Sequence, residues 1–303
     1  NMKRLLVIYN KSSSQYVHVH SGVLAQLKDL KGYIVGKFVI EKTDFETNVS
    51  RLVKILKDND LVISAGGDAT AAVALNAIIR SKKDVALSVL PYGNFNDLSR
   101  TIKNRTLSQV IKSPDKIKRL YPLEIIVDGE HFRYASCYVT IGMTAEAVEL
   151  FDDQEIRKNL QKGYKSSWRS YVYLAKWYFK NRHKKTFIPE FKLNGILQHR
   201  KTSDYAAVNG RSMCRVMKGG EDYLRPKVFR SKTDRLASFW RLFKLMARSI
   251  LVRVPGTETT GDTLEFLEPS TVELQAEGEY KIFKDIKKIE IKKGEACLKV
   301  VQN

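Results

Sequence analysis

The first 110 residues alternate between short apolar runs and longer stretches that have an apolar residue at every third or fourth position. The apolar runs predict four buried strands, at residues 4–9, 33–41, 60–65 and 85–93. The longer stretches predict helices at residues 22–31, 48–58 and 70–81. Because strands and helices take turns, the pattern indicates an α/β domain built on a parallel sheet.

The pattern changes near residue 121, where short strands separated by turn signals replace the strand–helix alternation. Residues 123–142 predict two strands that are joined at Asp128 and Gly129, a pair typical of a tight hairpin turn. Further alternating runs follow at residues 187–195, 263–283 and 287–301. The sequence therefore predicts a second, β-rich domain that begins at about residue 122.

Composition and charge narrow the class of protein. The chain has 303 residues, is 43% hydrophobic and carries a net charge of +20, which favours a globular protein with a polyanionic partner such as nucleic acid, anionic lipid or a phosphorylated substrate. Its three cysteines form no CxxC pair, so neither a zinc nor a disulfide framework is supported and a reducing cytoplasm fits best. The first apolar run is too short for a signal peptide, and no run reaches the roughly 18 residues that span a bilayer. We therefore expect a cytoplasmic protein whose membrane contact is peripheral.

Polar loops follow three of the predicted strands, at residues 10–14, 64–70 and 91–100. Open parallel sheets bind ligands at the carboxyl ends of their strands. Gly66 and Gly67 would let a ligand approach the backbone closely, and the amides that open the next helix would face a phosphate. Asp68 would repel a bare phosphate, so we expect a magnesium ion, a ribose hydroxyl or an amide between them. Neither a Walker A nor a GxGxxG motif is present.

Two of these loops carry a pair of motifs that belong together. "GGDAT", residues 66–70, and "PYGNFNDLSR", residues 91–100, resemble the G-G-D-G-T and P-x-G-T-x-N-D-F-A-R motifs of the diacylglycerol kinase catalytic family. That family is related to sphingosine kinases and distantly to NAD kinases. Ala69 replaces the third glycine of the first motif, and Asn94 replaces the threonine of the second.

Weaker similarities extend the resemblance over nearly the whole chain. Asn10 is similar to the asparagine that opens the family's first loop, and Thr43 lies where the family has a nucleotide-contacting threonine. Thr144 stands where the family usually has an aspartate, and residues 208–210 resemble the Asn-Gly pair that ends one of the family's strands. Residues 277–279 resemble the family's D-G-E motif, with Glu277 in place of the aspartate.

The resemblance implies an α/β protein with two domains. An N-terminal α/β nucleotide-binding domain of the NAD kinase/diacylglycerol kinase type would be followed by a C-terminal β-sandwich that shapes the lipid site. The last strands of the family usually return to the first domain. We therefore expect an ATP-binding domain at residues 1–121 with about 286–303, and a lipid-substrate domain at residues 122–285.

The implied reaction transfers the γ-phosphoryl of ATP to a lipid hydroxyl, with diacylglycerol giving phosphatidic acid as the first expectation. By resemblance, the nucleotide-binding residues are Asn10, Lys11, Ser12, Ser13, Thr43, Gly66, Gly67, Asp68, Ala69, Thr70, Ala71, Ala72, Asn94 and Asn96. Mg²⁺ would be organised by Asp68 and Asp97. Asp234 is the candidate ligand of a structural metal site, although Arg235 fills the place of that site's glycine.

A lipid hydroxyl needs a base that accepts its proton, and Glu279 matches the acid to which the family assigns that role. Glu277 lies two residues away and would support it, because two such residues on a strand share a face.

Ala69 would destabilise the fold by about 1 kcal/mol or more if the backbone at this position needed a positive φ.

Alternative functions stay open because Ala69 and Arg235 depart from the family. The chain could be a non-catalytic nucleotide- or lipid-binding homologue, or a kinase for a sphingosine-like, isoprenoid or NAD acceptor.

Two basic stretches, residues 166–185 and 225–253, place aromatic and aliphatic residues between lysines and arginines. This pattern is typical of interfacial helices on the anionic inner face of a membrane, although both could instead pack on the domain core. No nucleic-acid-binding motif appears, so a specific nucleic-acid partner is not expected. Related enzymes often pair, which leaves a homodimer open.

Overall fold

The chain divides into two units, Asn1–Tyr121 with Glu295–Asn303, and Pro122–Gly294. The structure is a computed structural model, and it describes residues 3–13, 15–104, 106–152, 155–156, 159, 166–181, 188–198, 202–213, 217–218, 227–232, 257–258 and 261–302. The α-helices of the described residues are α1 (Tyr16–Val19), α2 (Phe45–Ile55), α3 (Asp68–Ser81), α4 (Asp97–Ile102), α5 (Leu107–Lys112), α6 (Met143–Glu146) and α7 (Ser166–Lys180). A π-helical turn at His20–Leu24 and 3₁₀ turns at Gln26–Asp29 and Ala147–Asp152 accompany them.

The strands are β1 (Lys3–Asn10), β2 (Tyr33–Ile40), β3 (Leu61–Gly66), β4 (Ala86–Pro91), β5 (Ile117–Leu120), β6 (Leu123–Val127), β7 (Glu130–Ala135), β8 (Tyr138–Gly142), β9 (Phe191–Leu193), β10 (Ile196–Leu197), β11 (Thr202–Val208), β12 (Ser212–Met213), β13 (Met217–Lys218), β14 (Lys227–Lys232), β15 (Thr257–Glu258), β16 (Gly261–Ala276), β17 (Glu279–Lys293) and β18 (Leu298–Val301).

A six-stranded sheet with the order β2-β1-β3-β4-β18-β5 forms the centre of the first unit. The strands from β2 to β18 in this order run parallel, whereas β5 runs antiparallel to β18. Residues 61–66 are buried along the whole of β3, as expected for an inner strand of a parallel sheet that is covered on both faces. The predicted α/β fold with a parallel sheet is confirmed.

The helix predicted at residues 22–31 is wrong in position and type. The helical turns begin at Tyr16, widen to a π-helical turn at His20–Leu24 and end at Asp29. A Cβ on Gly22 would lie 2.5 Å from the Tyr92 hydroxyl, so the side chain of Tyr92 packs directly on this turn. The periodicity of the sequence carries no information about that tertiary contact.

The return of the chain to the first unit begins later than the predicted residue 286. β17 continues to Lys293 because its apolar residues pair with β6, Ile289 opposite Val127 and Ile291 opposite Ile125. The residues that return are therefore 295–303. Their strand, β18, inserts between β4 and β5, and Lys299 pairs with Ala86 of β4.

The second unit is built on a ten-stranded antiparallel sheet, which agrees with the predicted β-rich domain. β16 and β17 form one long hairpin in which the register of β16 shifts near Ser270. On its other edge, β16 pairs with β9 through residues 264–266 and with β8 through residues 274–276. Side chains from β8, β9, β16 and β17 share one buried apolar cluster. The long hairpin thus joins the two halves of the sheet around a common core.

The two basic stretches are described only in part. Residues 166–181 include α7, whereas most of residues 225–253, including Asp234 and Arg235, lie outside the described residues. Within the described ranges, no helix combines the length and the apolar character that crossing a bilayer requires.

Candidate active site

The two glycine loops of the first unit touch each other backbone to backbone. Gly66 ends β3 opposite Pro91 of β4, and Gly67 is the N-cap of α3. The Tyr92 amide donates to the Gly66 carbonyl at 3.2 Å. A Cβ on Gly93 would lie only 2.3 Å from Gly67 Cα, so this approach requires glycine at residue 93.

Asn96 fixes the shape of the second loop. Its Oδ1 accepts from the Gly93 amide at 2.6 Å, and its Nδ2 donates to the Gly93 carbonyl at 2.7 Å. Asn96 is buried and has a left-handed backbone with φ of +57°, a conformation that asparagine tolerates better than most residues. Its amide group is thus engaged within the loop, and the predicted contact of Asn96 with nucleotide stays a prediction.

Asp68 and Asp97 form an acidic pair below these loops. Asp68 opens α3, and its Oδ1 accepts from the Leu98 amide at 3.4 Å. Asp97 opens α4 and is fully buried, where it forms an ion pair with Arg100. Desolvation, followed by repulsion from Asp97, raises the pKa of Asp68 from the ordinary 3.8 to about 7. Two carboxyl groups this close together are ligands of the kind that Mg²⁺ prefers.

We expect Asp68→Asn to raise the free energy of unfolding at pH 8 by up to about 4 kcal/mol and to leave it unchanged near pH 4. The folded-state pKa is raised, so the stability that Asp68 contributes is fully present below pH 4 and is lost as pH rises through about 7. Urea unfolding of both proteins across this range measures the difference. Asp115→Asn is the control, because that side chain is 84% exposed. Parallel pH curves for wild type and Asp68→Asn would contradict the assignment.

Ala69 lies in the first turn of α3 and is not among the residues with a positive φ. The strain that a positive φ would impose on alanine is therefore absent at this position. The methyl group instead favours the helix, because alanine exceeds glycine in helix propensity by about 1 kcal/mol.

Restoring the family residue with Ala69→Gly is expected to lower the free energy of unfolding by about 0.5–1 kcal/mol. Thermal and urea unfolding measure this change. Ala77→Gly, in the buried interior of the same helix, should be at least as destabilising because it also removes a core methyl group. A stability gain in Ala69→Gly would show that the loop prefers glycine after all.

The other nucleotide-binding candidates of α3 differ in their burial and in the hydrogen-bond donors that they could present to a ligand. Thr70 is buried, and its side chain fills the space over Gly66, where a Cβ would meet Oγ1 at 2.5 Å. Ala71 and Ala72 are buried, and the Ala71 amide donates to the Gly67 carbonyl at 3.1 Å. The amides of residues 68–70 open the helix, where backbone donors have no acceptor within the helix and favour an anion.

The first loop and Thr43 lie at the same edge of the sheet as the glycine loops, because β1, β2, β3 and β4 are parallel. Asn10 Oδ1 accepts from the Ser12 amide at 2.8 Å, and the Asn10 carbonyl accepts from Ser13. Lys11 is exposed beside them. Thr43 is exposed and accepts from Asn48 Nδ2 at 3.1 Å. The structure thus brings the predicted nucleotide-binding residues of the first unit to one edge, with partly buried Asn94 in the second glycine loop.

Glu277 and Glu279 do not share a strand face, and that expectation is wrong. Glu277 and Gly278 form the two-residue turn between β16 and β17, with φ of +53° and +90°, and Ala276 pairs with Glu279 across it. Positive φ at both positions is the requirement of a type I′ hairpin turn. Glu277 is 2% exposed, whereas Glu279 is partly buried at the start of β17.

The carboxylate of Glu277 is held by groups that the sequence did not indicate. Its Oε1 accepts from Ser136 Oγ and from the Cys137 amide, both at 2.5 Å. Asn209 Nδ2 donates to the Ser136 carbonyl at 3.0 Å, and the Asn209 amide donates to the Cys137 carbonyl. Only the N-G resemblance at residues 209–210 pointed to this region. Glu277 therefore anchors the turn from which Glu279 projects.

At two positions of the second unit, residues 144 and 234, the resemblance predicts an acidic residue. Thr144, which stands where the resemblance expects an aspartate, donates through its amide and hydroxyl to Asp204. Asp234 lies outside the described residues. In the part of the chain that the structure describes, no group of three or more histidine, cysteine or acidic residues could hold a metal ion by itself.

Most of the first unit is similar to a known protein family. The family model of the diacylglycerol kinase catalytic domain matches residues 4–127. The chain is 27% identical over 135 residues to the diacylglycerol kinase of Bacillus subtilis, covering 43% of this chain and 44% of the relative. It is 31% identical over 102 residues to the mitochondrial acylglycerol kinase of Xenopus laevis, covering 30% of this chain and 24% of the relative. The aligned part spans less than half the length of these curated relatives.

Solved structures extend the similarity of fold to the whole chain. A diacylglycerol kinase structure from Bacillus anthracis superimposes with a TM-score of 0.66 at 15% identity, covering 100% of this chain and 97% of that one. A second structure from the same organism gives a TM-score of 0.67, also at 15% identity, with the same coverage. At this identity the likeness establishes the two-domain fold. The part of the chain that matches the diacylglycerol kinase catalytic domain model, residues 4–127, contains both glycine loops and the acidic pair.

Proposed function

We propose that the chain is an ATP-dependent lipid kinase that phosphorylates diacylglycerol to phosphatidic acid. The observation that carries this proposal is the contact of Gly67 with Gly93 at the start of α3, beside the acidic pair of Asp68 and Asp97. Two glycine backbones in contact leave no side chain between the helix start and a bound phosphate. The B. subtilis and X. laevis relatives are acylglycerol-type lipid kinases by name, which supports a lipid acceptor.

The nucleotide would bind at the carboxyl edge of the parallel sheet. The open amides of α3 would donate hydrogen bonds to its phosphates, and the loop from Asn10 to Ser13 with Thr43 would contact the remainder of the nucleotide. Lys11 is exposed in that loop and could approach phosphate oxygens.

The acidic pair fits Mg²⁺, which is commonly held by one or two carboxylates together with phosphate oxygens. Asp68 and Asp97 would hold it, directly or through water, and ionisation of Asp68 above its raised pKa would supply the charge. The ion would neutralise negative charge on the β- and γ-phosphates.

Glu279 is the proposed general base. It would accept the proton of the lipid hydroxyl as the hydroxyl oxygen bonds to the γ-phosphorus and the bond to the β–γ bridging oxygen breaks, which leaves ADP. Glu277 would act as a positioning residue, because its carboxylate is engaged by Ser136 and Cys137 inside the fold.

The lipid acceptor implies an anionic membrane surface as a peripheral partner. Among the residues of α7 whose exposure is described, the exposed ones are the basic Arg169, Lys176 and Lys180 and the apolar Val172 and Phe179. Such a face suits the boundary between head groups and acyl chains.

The test is transfer of the γ-phosphoryl of labelled ATP, with Mg²⁺, to diacylglycerol, monoacylglycerol, sphingosine and undecaprenol in detergent micelles, with NAD as a soluble control. Labelled phosphatidic acid would support the proposal, and a product from another acceptor would correct the substrate. Binding of ATP without transfer to any acceptor would overturn the proposal in favour of a non-catalytic nucleotide-binding protein.

A further inference from the structure

A buried asparagine of the first unit, Asn48, holds the loop that carries Thr43. Asn48 lies in α2 and is 2% exposed. Its Oδ1 accepts from the Glu41 amide at 3.0 Å and its Nδ2 donates to the Glu41 carbonyl at 3.2 Å, which fastens the start of the loop after β2. The same Nδ2 donates to the Asp44 carbonyl, also at 3.2 Å, where α2 begins. One buried side chain therefore holds both ends of the loop.

These contacts fix the orientation of the Asn48 amide. A backbone N–H faces Oδ1 and two backbone carbonyls face Nδ2, so the two ends of the amide cannot be exchanged. Nδ2 therefore donates to Thr43 Oγ1, at 3.1 Å, and cannot accept from it. Arg51 supports the same orientation, because it donates to Asn48 Oδ1 at 3.4 Å. The guanidinium of Arg51 is itself held by Glu41 at 2.8 Å and lies over the ring of Phe38.

The Thr43 hydroxyl is consequently a donor toward its surroundings. An oxygen that accepts from Asn48 keeps its own proton for another acceptor. Thr43 is exposed, and none of the described residues accepts that proton. Asn10 likewise keeps its Nδ2 as a donor, because its Oδ1 accepts from the Ser12 amide at 2.8 Å. This side of the sheet edge thus suits a ligand that offers acceptor atoms.

The position of Thr43 selects the part of the nucleotide that it would contact. Asn10 of β1 pairs with Ile40 of β2. Tyr9 pairs with Ala65 of β3, so the loops after these three strands start at one level. β1 lies between β2 and β3, which separates the loop after β2 from the first glycine loop by two strand spacings, about 10 Å. With the phosphates at the open amides of α3, the base or the ribose of an extended nucleotide would lie near Thr43.

We propose that Asn48 is a positioning residue for nucleotide binding. It donates to the Thr43 hydroxyl and thereby directs the proton of that hydroxyl to an acceptor atom on the base or ribose of ATP. Asn48 itself is buried and acts only through Thr43. This inference rests on the proposed function for the identity of the ligand.

The test is a double-mutant cycle on ATP affinity, measured by calorimetric titration of the full chain with Mg²⁺ and without lipid. We expect Thr43→Val and Asn48→Ala each to weaken ATP binding by about threefold to tenfold, the scale of one hydrogen bond. The double variant should bind ATP as weakly as Thr43→Val does and no more weakly, because Asn48 acts through the hydroxyl that valine lacks. Thr43→Ser retains the hydroxyl and should bind ATP as wild type does.

Asn48→Asp tests the direction of the hydrogen bond and keeps the size of the buried side chain. Its carboxylate would still accept from the Glu41 amide, but it would also accept the Thr43 proton. We expect it to weaken ATP binding at least as much as Asn48→Ala does. Asn104→Ala is the matched control, since Asn104 is also 2% exposed and its Nδ2 donates to Ser88 Oγ at 2.8 Å. The control should lose stability in urea and bind ATP as wild type does.

Two results of the cycle would overturn the inference. Additive losses in the double variant would show that Asn48 supports the fold alone, and wild-type affinity in Thr43→Val would show that the hydroxyl contacts no nucleotide. Displacement of ATP by adenosine then separates the two ends of the ligand. Thr43→Val should weaken adenosine binding by the same factor as ATP binding, whereas a loss confined to ATP would assign the contact to phosphate and contradict the inference.

Transfer assays keep this inference separate from the proposed function. Labelled phosphatidic acid formed by wild type, with additive losses of ATP affinity in the double variant, would leave the kinase standing and overturn the role of Asn48. Coupled losses of ATP affinity in a protein that transfers phosphate to no lipid would leave the role of Asn48 standing and overturn the kinase.

Discussion

Replacing Glu279 with glutamine is expected to lower kcat for lipid phosphorylation by about 10²- to 10⁴-fold, because glutamine keeps the shape of the side chain but accepts no proton. Glu279 opens β17 and is partly buried, next to a turn whose own carboxylate is already engaged. The measurement is kcat against pH for diacylglycerol in micelles, with unfolding curves to show that the fold is intact.

Glu290→Gln is the matched control, since Glu290 lies on the same strand and pairs only with the surface residue Lys288 among its described ion-pair partners. It should leave kcat unchanged. Full activity in Glu279→Gln together with loss in Glu277→Gln would reverse the two roles. In that case Glu277 would have to accept the lipid proton with a carboxylate to which Ser136 and Cys137 already donate hydrogen bonds.

Replacing Gly93 with alanine is expected to reduce kcat/KM for ATP on the order of 10²-fold, the scale reported for displacements of about 1 Å in positioning groups. The added methyl group would lie 2.3 Å from Gly67 Cα and 3.1 Å from the Gly67 amide nitrogen, so the two loops must separate. The methyl group would also lie 3.0 Å from Asn96 Oδ1, which accepts from the Gly93 amide. Calorimetric titration with ATP and steady-state kinetics measure the effect.

Gly36→Ala serves as its control. The new methyl group would meet the end of the Leu6 side chain at 3.1 Å, a flexible group that can move, and the backbone at 4.0 Å. We expect ATP affinity close to that of wild type. Equal ATP affinity in Gly93→Ala would mean that the contact between the loops has no part in binding nucleotide.

The parts of the molecule that could be predicted from sequence are those written in local patterns. β1, β3 and β4 follow from apolar runs, and the loops after β3 and β4 follow from glycine, asparagine and aspartate at strand ends. Their meeting at one edge follows from the parallel order of the strands. The type I′ turn at Asp128 and Gly129 is likewise a local signal, with φ of +49° and +85°.

The parts that could not be predicted depend on contacts between distant residues. The hydrogen bonds from Ser136 and Cys137 to Glu277 join positions about 140 residues apart, and nothing near either position in the sequence announces them. The π-helical turn at residues 20–24 accommodates Tyr92 from another loop. Ala69 is free of backbone strain because α3 begins one residue before it, at Asp68, and the motif alone does not fix that starting point.

The insertion of β18 between β4 and β5 has a consequence for how the protein folds during synthesis. The sheet of the first unit is completed by residues 298–301, which the ribosome makes only after the whole second unit. Until then β4 has no neighbour on one side, and Asn104 lacks the Val301 carbonyl to which it donates. An unpaired inner strand is a site of misassembly, and contacts between distant residues slow folding. We expect nascent chains that end before residue 295 to be protease-sensitive in their first 121 residues, and to become resistant when residues 298–301 emerge.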